Sequence, residues 1–265
     1  MPYATAAGHS LEYQRIDGDP VKPVLVFLHE GLGSIGQWRD FPVRLTAATG
    51  CPGLVYARYG FGQSDVLAGP RPFDFMHQEA RVALPELLAV LGIARPILVG
   101  HSDGASIALI HAGTPPWSDS LRGVAVMAPH VLFEDMNTDA IRAARQAFET
   151  TDLPQRLGKY HRDAARTFYG WADVWCSPAF RQWNIEDILT GIRCPVLAIQ
   201  GHQDAYGTMA HLDSIAARVR GPCELLKLED CAHTPFREQP AKTLEAVARF
   251  VNRLCAAGQG AGSQR

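Results

Sequence analysis

The chain has no long apolar run, no Cys-x-x-Cys pair and no stretch of concentrated positive charge. The first absence excludes a membrane-spanning helix, which needs roughly 20 consecutive apolar residues. The six cysteines (Cys51, Cys176, Cys194, Cys223, Cys231 and Cys255) are scattered, so neither a zinc site nor a disulfide framework is expected. They read as reduced, mostly buried thiols. With 25 Lys and Arg against 27 Asp and Glu, the net charge of -2 leaves no basic stripe for nucleic acid and no polybasic segment for an anionic membrane. The opening, Met1 to Asp19, lacks both the basic and the apolar parts of a secretory signal. The expectation is a soluble cytoplasmic protein whose partner is a small molecule.

What the chain does have is alternation. Short apolar runs bounded by Pro and Gly recur at Val24 to Leu28, Gly53 to Tyr56, Ile97 to Val99, Val124 to Met127, Val196 to Ile199 and Leu225 to Leu228. Most read as buried strands of a parallel sheet. Between them, sets such as Leu212, Ile215 and Val219, or Leu244, Val247, Val251 and Leu254, put apolar residues on one helical face. Strands alternating with helices indicate an α/β class, and a chain of 265 residues can form one such domain.

The alternation breaks between about Val131 and Ile192. Helical patterns follow one another there, including Thr138 to Thr150 with Ile141, Ala144 and Phe148 on a common face. The expected division is a core of residues 1–131 and 192–265 with an inserted helical lid at 132–191. That insertion holds Phe133, Phe148, Phe168, Tyr169, Trp171, Trp175, Phe180 and Trp183, three of the five tryptophans among them. Most aromatics at helical spacing pack against a core, and a few are left to line a pocket. The tail Ala256 to Arg265, rich in Gly, Gln and Ser, reads as disordered.

Gly100-His101-Ser102-Asp103-Gly104 follows the Ile97 to Val99 run and precedes the helical stretch Ala105 to His111. The G-x-S-x-G pattern between strand and helix places a serine on a sharp turn, with its hydroxyl lifted clear and the next N–H, that of Asp103, aimed where an oxyanion forms. The pattern alone fits a helix N-cap as well as a nucleophile. A nucleophilic serine needs a base.

Ligands bind at the carboxyl edge of a parallel sheet, so the base is sought after a later strand. His233, in Asp230-Cys231-Ala232-His233-Thr234-Pro235-Phe236, follows the Leu225 to Leu228 run; a surface imidazole is the alternative. Asp204, in Gly201-His202-Gln203-Asp204-Ala205-Tyr206-Gly207, follows Val196 to Ile199 and offers the carboxylate that orients an imidazole. Its alternative role is a turn or a helix cap. Glu134 and Asp135 are rival third members.

The order Ser102, Asp204, His233, each after its own strand, resembles the α/β-hydrolase fold over nearly the whole chain. His29-Glu30-Gly31-Leu32-Gly33-Ser34 is similar to the family's His-Gly loop, which lends a second oxyanion-hole N–H. The resemblance makes Gly31 the first choice for that donor and Leu32 the second. Arg58-Tyr59-Gly60-Phe61-Gly62-Gln63-Ser64 resembles the family's R-G-x-G-x-S loop and reads as structural. Two positions depart from the pattern: Glu30 stands where glycine is usual, and Asp103 where an apolar residue is common.

The resemblance implies a mostly parallel central sheet flanked by helices, with a helical lid. It also implies a serine esterase of the carboxylesterase kind, with a nucleophile elbow and no cofactor or metal. Glu30, Trp171, Trp175 and His130 are the candidate substrate-contacting residues, and for Glu30 a hydrogen bond to its own neighbouring loop is the favoured alternative. Other reactions open to such a chain are cleavage of lactones, thioesters or the carbon–carbon bonds of ring-cleavage products, and non-hydrolytic binding or lyase chemistry. Relatives with an aspartate nucleophile, the dehalogenases and epoxide hydrolases, are excluded by Ser102 at the apex.

Overall fold

The structure, a computed structural model, describes residues 1–260. Eight strands form one sheet: β1 (Tyr3–Ala6), β2 (His9–Ile16), β3 (Leu25–Leu28), β4 (Gly53–Tyr56), β5 (Ile97–His101), β6 (Gly123–Met127), β7 (Val196–Gly201) and β8 (Cys223–Leu228). Their spatial order is β1-β2-β4-β3-β5-β6-β7-β8. The six strands from β3 onward pair in parallel, whereas β1 and β2 are antiparallel additions at one edge. Those two were not anticipated, because the edge hairpin is half polar and lacks an apolar run. Its turn, Ala7-Gly8, has positive φ at both residues, the geometry of a tight two-residue hairpin.

Continuous apolar strands result from burial on both faces. In β3, Leu25 and Phe27 face one layer while Val26 and Leu28 face the other. The first layer contains helix α1 (Phe41–Thr49), with Phe41 and Leu45 packed beside Val247, Phe250 and Val251 of the C-terminal helix. On the opposite face lie α2 (Leu84–Val90), α3 (Asp103–Gly113) and, after β7, a helix at Ala210–Arg218. All eleven residues of α3 are buried, which fixes the segment behind Ser102 on every side. The opposite edge strand, β8, is less enclosed than its apolar sequence suggests: it pairs only with β7, and Leu225 is exposed.

From Val131 to Ile192 the chain is helical except for one isolated bridge, Leu132 to Asn184. Helix α4 (Asp135–Thr150) begins three residues before the expected Thr138. Glu134 and Asn137 form a reciprocal capping box that satisfies its first N–H groups. Helix α5 (Leu153–Gly158) leads to α6 (Ala164–Trp175), in which Asp163 caps the Arg166 N–H. Phe148 stacks on Phe168 and Phe180 on Trp183, so most aromatics here are packing groups.

The C-terminal helix runs from Pro240 to Gly260. Residues 256–260 therefore extend a helix anchored by Val247 and Val251, where the sequence reading placed a disordered tail; Ala256 and Ala257 are good helix formers. The remaining five residues of that tail lie outside the described residues. No described helix is long and apolar enough to cross a membrane. The six cysteines are free thiols, with Cys51 and Cys255 3.6 Å apart.

Candidate active site

Ser102 follows β5 directly, with φ 51° and ψ −119°, a region that residues with a side chain rarely occupy. The turn closes because its flanking glycines lack a Cβ. One added at Gly100 would strike the Gly104 carbonyl and the Ala105 backbone, and one added at Gly104 would strike the Leu28 carbonyl. Ser102 stands at the N-cap position of α3, yet its hydroxyl caps nothing. Its Oγ lies 2.9 Å from His233 Nε2 instead.

The loop after β8 carries His233 back over the elbow. Its Nδ1 lies 2.9 Å from both Oδ1 and Oδ2 of Asp204. A carboxylate only accepts, so Nδ1 carries the proton and Nε2 offers a lone pair to the serine O–H. Burial pushes the Asp204 carboxyl up, but the hydrogen bond and charge of His233 and the Tyr206 N–H more than offset it and hold Asp204 below the usual range. Asp204 also accepts from Tyr206 N–H at 2.8 Å and from Gln200 Nε2 at 3.1 Å. One carboxylate thus shapes its own turn and orients the imidazole. Glu134 is engaged elsewhere, accepting from Thr208 N–H and Oγ1 at 2.9 and 2.7 Å, and Asp135 pairs on the surface with Arg181.

The N–H groups of Gly31, Leu32 and Asp103 donate to no acceptor among the described residues. Asp103 N–H also opens an eleven-residue helix, whose N-terminus favours negative charge. The loop that carries Gly31 and Leu32 is braced from two directions. Arg58 Nη2 donates to the Glu30 carbonyl at 2.9 Å, and His161 Nε2 donates to the Leu32 carbonyl at 3.0 Å while its Nδ1 accepts from Gly62 N–H at 3.0 Å. The Arg58 to Ser64 loop is therefore structural, as its sequence suggested, and what it supports is the loop after β3.

The Glu30 carboxylate meets its own backbone N–H and also reaches out of its loop. Its Oε2 lies 3.3 Å from Nδ1 of His101, whose Nε2 donates to the His233 carbonyl at 2.7 Å. Burial raises the Glu30 carboxyl, and the hydrogen bond and charge of His101 overcome this, holding it well below the ordinary carboxylate range. Asp103 is the opposite case. Burial pushes its carboxyl up against the pull of the Arg58 and Arg71 guanidinium groups.

A cavity of about 230 Å³ opens at Ser102. Glu30, Gly31, Leu32, Asp103 and His130 line it from the sheet side, and Asn137, Ile141, Trp171 and Trp175 from the helices after β6. All four residues assigned to substrate contact thus border one space. His130 Nε2 donates to the Tyr206 carbonyl at 3.0 Å, and burial, with His211 and His233 nearby, takes its pKa down to about 3, so the ring is neutral. Asn137, Ile141 and Tyr206 were not found from sequence; His101, His161 and Arg58 were visible in or beside motifs, but their partners were not. Among the described residues no group of three or more His, Cys, Asp or Glu side chains is placed to hold a metal ion.

A model described as the alpha/beta hydrolase family matches residues 25–246. An sn-1-specific diacylglycerol lipase of Mus musculus is 31% identical over 102 residues, which is 38% of this chain and 32% of that protein. The chain thus spans about a third of that relative's length. A membrane phospholipase A described as a bacterial virulence factor superposes with a TM-score of 0.79 at 18% identity, covering 96% of this chain and 86% of its own. The enol-lactonase of Burkholderia xenovorans LB400 gives 0.73 at 20% identity, covering 94% and 99%. The proline iminopeptidase of Mycobacterium smegmatis gives 0.68 at 19%, covering 97% and 99%. These likenesses establish a common fold.

Proposed function

The chain belongs to the alpha/beta hydrolase family, and within it we propose a serine hydrolase that cleaves a carboxylic ester, or a related lactone or thioester, of a small to medium acyl group. One observation carries this reading: the unbroken hydrogen-bonded series from Ser102 Oγ through the His233 ring to Asp204. As Oγ attacks the carbonyl carbon, His233 Nε2 takes its proton and Asp204 stabilises the imidazolium. The tetrahedral oxyanion sits against the N–H groups of Asp103 and Gly31, with Leu32 as the neighbouring donor. Loss of one such donor typically costs about 3 to 4 kcal/mol of transition-state stabilisation.

Collapse of that intermediate breaks the bond to the leaving group, which receives the proton from His233. Water then attacks the acyl-enzyme, gives its proton to the same nitrogen, and releases the acid and Ser102. Each proton passes through His233 Nε2: the first goes from Ser102 to the leaving group, and the second from water back to Ser102 Oγ as the second tetrahedral intermediate collapses. The helical segment 132–191 acts as the lid, because Trp171 and Trp175 close the cavity over the serine. A space of about 230 Å³ is below the usual range for drug-sized ligands and suits a small substrate, with Ile141, Trp171 and Trp175 favouring an apolar or aromatic group.

Fluorophosphonate labelling tests this. The expected result is covalent label on Ser102 that disappears in Ser102→Ala and falls sharply in His233→Ala, with Asp204→Asn lowering kcat on esters by on the order of 10³ to 10⁴. Label persisting in Ser102→Ala would remove the proposed nucleophile.

A further inference from the structure

Cys51 is 0% exposed at the bend between α1 and β4, and Cys255 lies half-buried on the C-terminal helix, about one turn past Val251. Their Sγ atoms are 3.6 Å apart, although 204 positions separate them in the chain. Among the described residues this is the one place where two cysteine sulfurs come within hydrogen-bonding reach, and both are free thiols.

The pairing follows from packing that is fixed on both sides. At the bend, Gly50 takes φ 69° and returns its N–H to the Thr46 carbonyl. Thr49 Oγ1 accepts from the Cys51 N–H at 3.3 Å, and Lys22 Nζ donates to the Thr49 carbonyl at 2.7 Å. On the other side, Val247, Phe250 and Val251 seat the C-terminal helix in the layer that holds Phe41 and Leu45 of α1. A sulfur–sulfur bond is about 2.05 Å long, so closing one here needs an approach of about 1.5 Å. Cys51 is enclosed, whereas Cys255 stands beyond Val251, the last fully buried residue described on its helix, and can supply that approach by turning about its Cα–Cβ bond.

We propose that Cys51 and Cys255 are an oxidisable pair, which hydrogen peroxide converts into a disulfide that ties the C-terminal helix to the start of β4. Burial, with Cys255 beside it, pushes the Cys51 thiol up to about 12, so the first step falls to Cys255. Its thiolate attacks one peroxide oxygen, the O–O bond breaks, and the departing hydroxide takes up the proton released by the thiol, leaving a sulfenic acid and one water. The Cys51 sulfur then attacks the Cys255 sulfur. The S–O bond breaks, and the oxygen leaves as a second water with the Cys51 proton. Two thiols are oxidised and one peroxide is reduced to two waters. Neither cysteine borders the cavity at Ser102, so this proposal stands independently of the hydrolase reading.

Peptide mapping and thermal melting of the full chain before and after stoichiometric hydrogen peroxide test it. The treated wild type should lose the mass of two hydrogens and two of its six free thiols, and should yield one linked peptide pair containing Cys51 and Cys255. Because the bridge closes a loop of 204 residues, Tm should rise by about 3 to 7 °C and fall back with dithiothreitol. Cys51→Ser and Cys255→Ser should show neither the linked pair nor the rise. The wild type decides the matter even if neither variant folds: a Cys255 sulfinic acid with no linked pair, bridges through other cysteines, or a Cys51–Cys255 bridge that leaves Tm unchanged would each overturn the proposal.

Discussion

His101 Nε2 donates to the backbone carbonyl of His233 at 2.7 Å, so the residue before the nucleophile holds the backbone of the proposed base. A carbonyl only accepts, which commits the Nε2 proton and leaves Nδ1 facing Glu30 at 3.3 Å. Glu30 and His101 thus form a part-buried hydrogen-bonded pair behind the Ser102 turn. Glu30→Gln should keep a donor for a neutral His101 and cost less than about 1 kcal/mol, whereas Glu30→Ala should cost about 1 to 3 kcal/mol by stranding Nδ1. Urea denaturation of both variants checks this. Equal losses would show that the bond to His101 is not what Glu30 contributes.

Two glycines beside the site should respond differently to alanine. A methyl at Gly104 meets the main-chain carbonyl of Leu28, which cannot yield without moving β3. Gly104→Ala should destabilise by about 3 kcal/mol or more and lose activity with the fold. At Gly31 the obstacle is the Trp171 indole, a side chain that can rotate away. Gly31→Ala should cost less stability and change KM and kcat by reshaping the cavity. Thermal melting with ester kinetics distinguishes the two; a Gly104→Ala protein that melts at or above the temperature of Gly31→Ala would contradict the steric argument.

Acid should destabilise this protein well above the carboxylate range. Burial lowers the pKa of His29, His111, His130 and His161, so each takes up a proton less readily in the fold than in the unfolded chain. The unfolded state then binds more protons, and stability is lost as pH falls through 6.5. Asp103 and Glu79, raised by burial, work in the opposite direction. Between pH 7 and 5.5 His130, taken down to about 3, should subtract about 1 kcal/mol. His130→Gln should recover about that share of the loss, measured from denaturation midpoints at the two pH values. An unchanged loss in His130→Gln would remove His130 from the set.

Much of this was readable from the chain because the signals were local. The apolar runs marked six of eight strands, and the turns after β5, β7 and β8 carried Ser102, Asp204 and His233 to one place. The edge hairpin escaped because a strand with one solvated face and only four residues has too little periodicity to register. Glu134 and Asp135 remained rivals to Asp204 because sequence gives the order of loops and not the direction of a carboxylate. The partnership of Glu30 with His101, 71 positions apart, had no local signature.

The contact of Gly104 with the Leu28 and His29 carbonyls has one more consequence. The elbow and the strand that leads to Gly31 share a common datum with no intervening rotamer, so the spacing between Ser102 and the proposed oxyanion donors is set by main chain alone. The opposite wall, made by Asn137, Ile141, Trp171 and Trp175, is built only of side chains on helices outside the sheet. The cavity therefore has a machined half and an adjustable half. Substitutions on the helices can retune which molecule fits while the bond-breaking distances stay where the sheet put them.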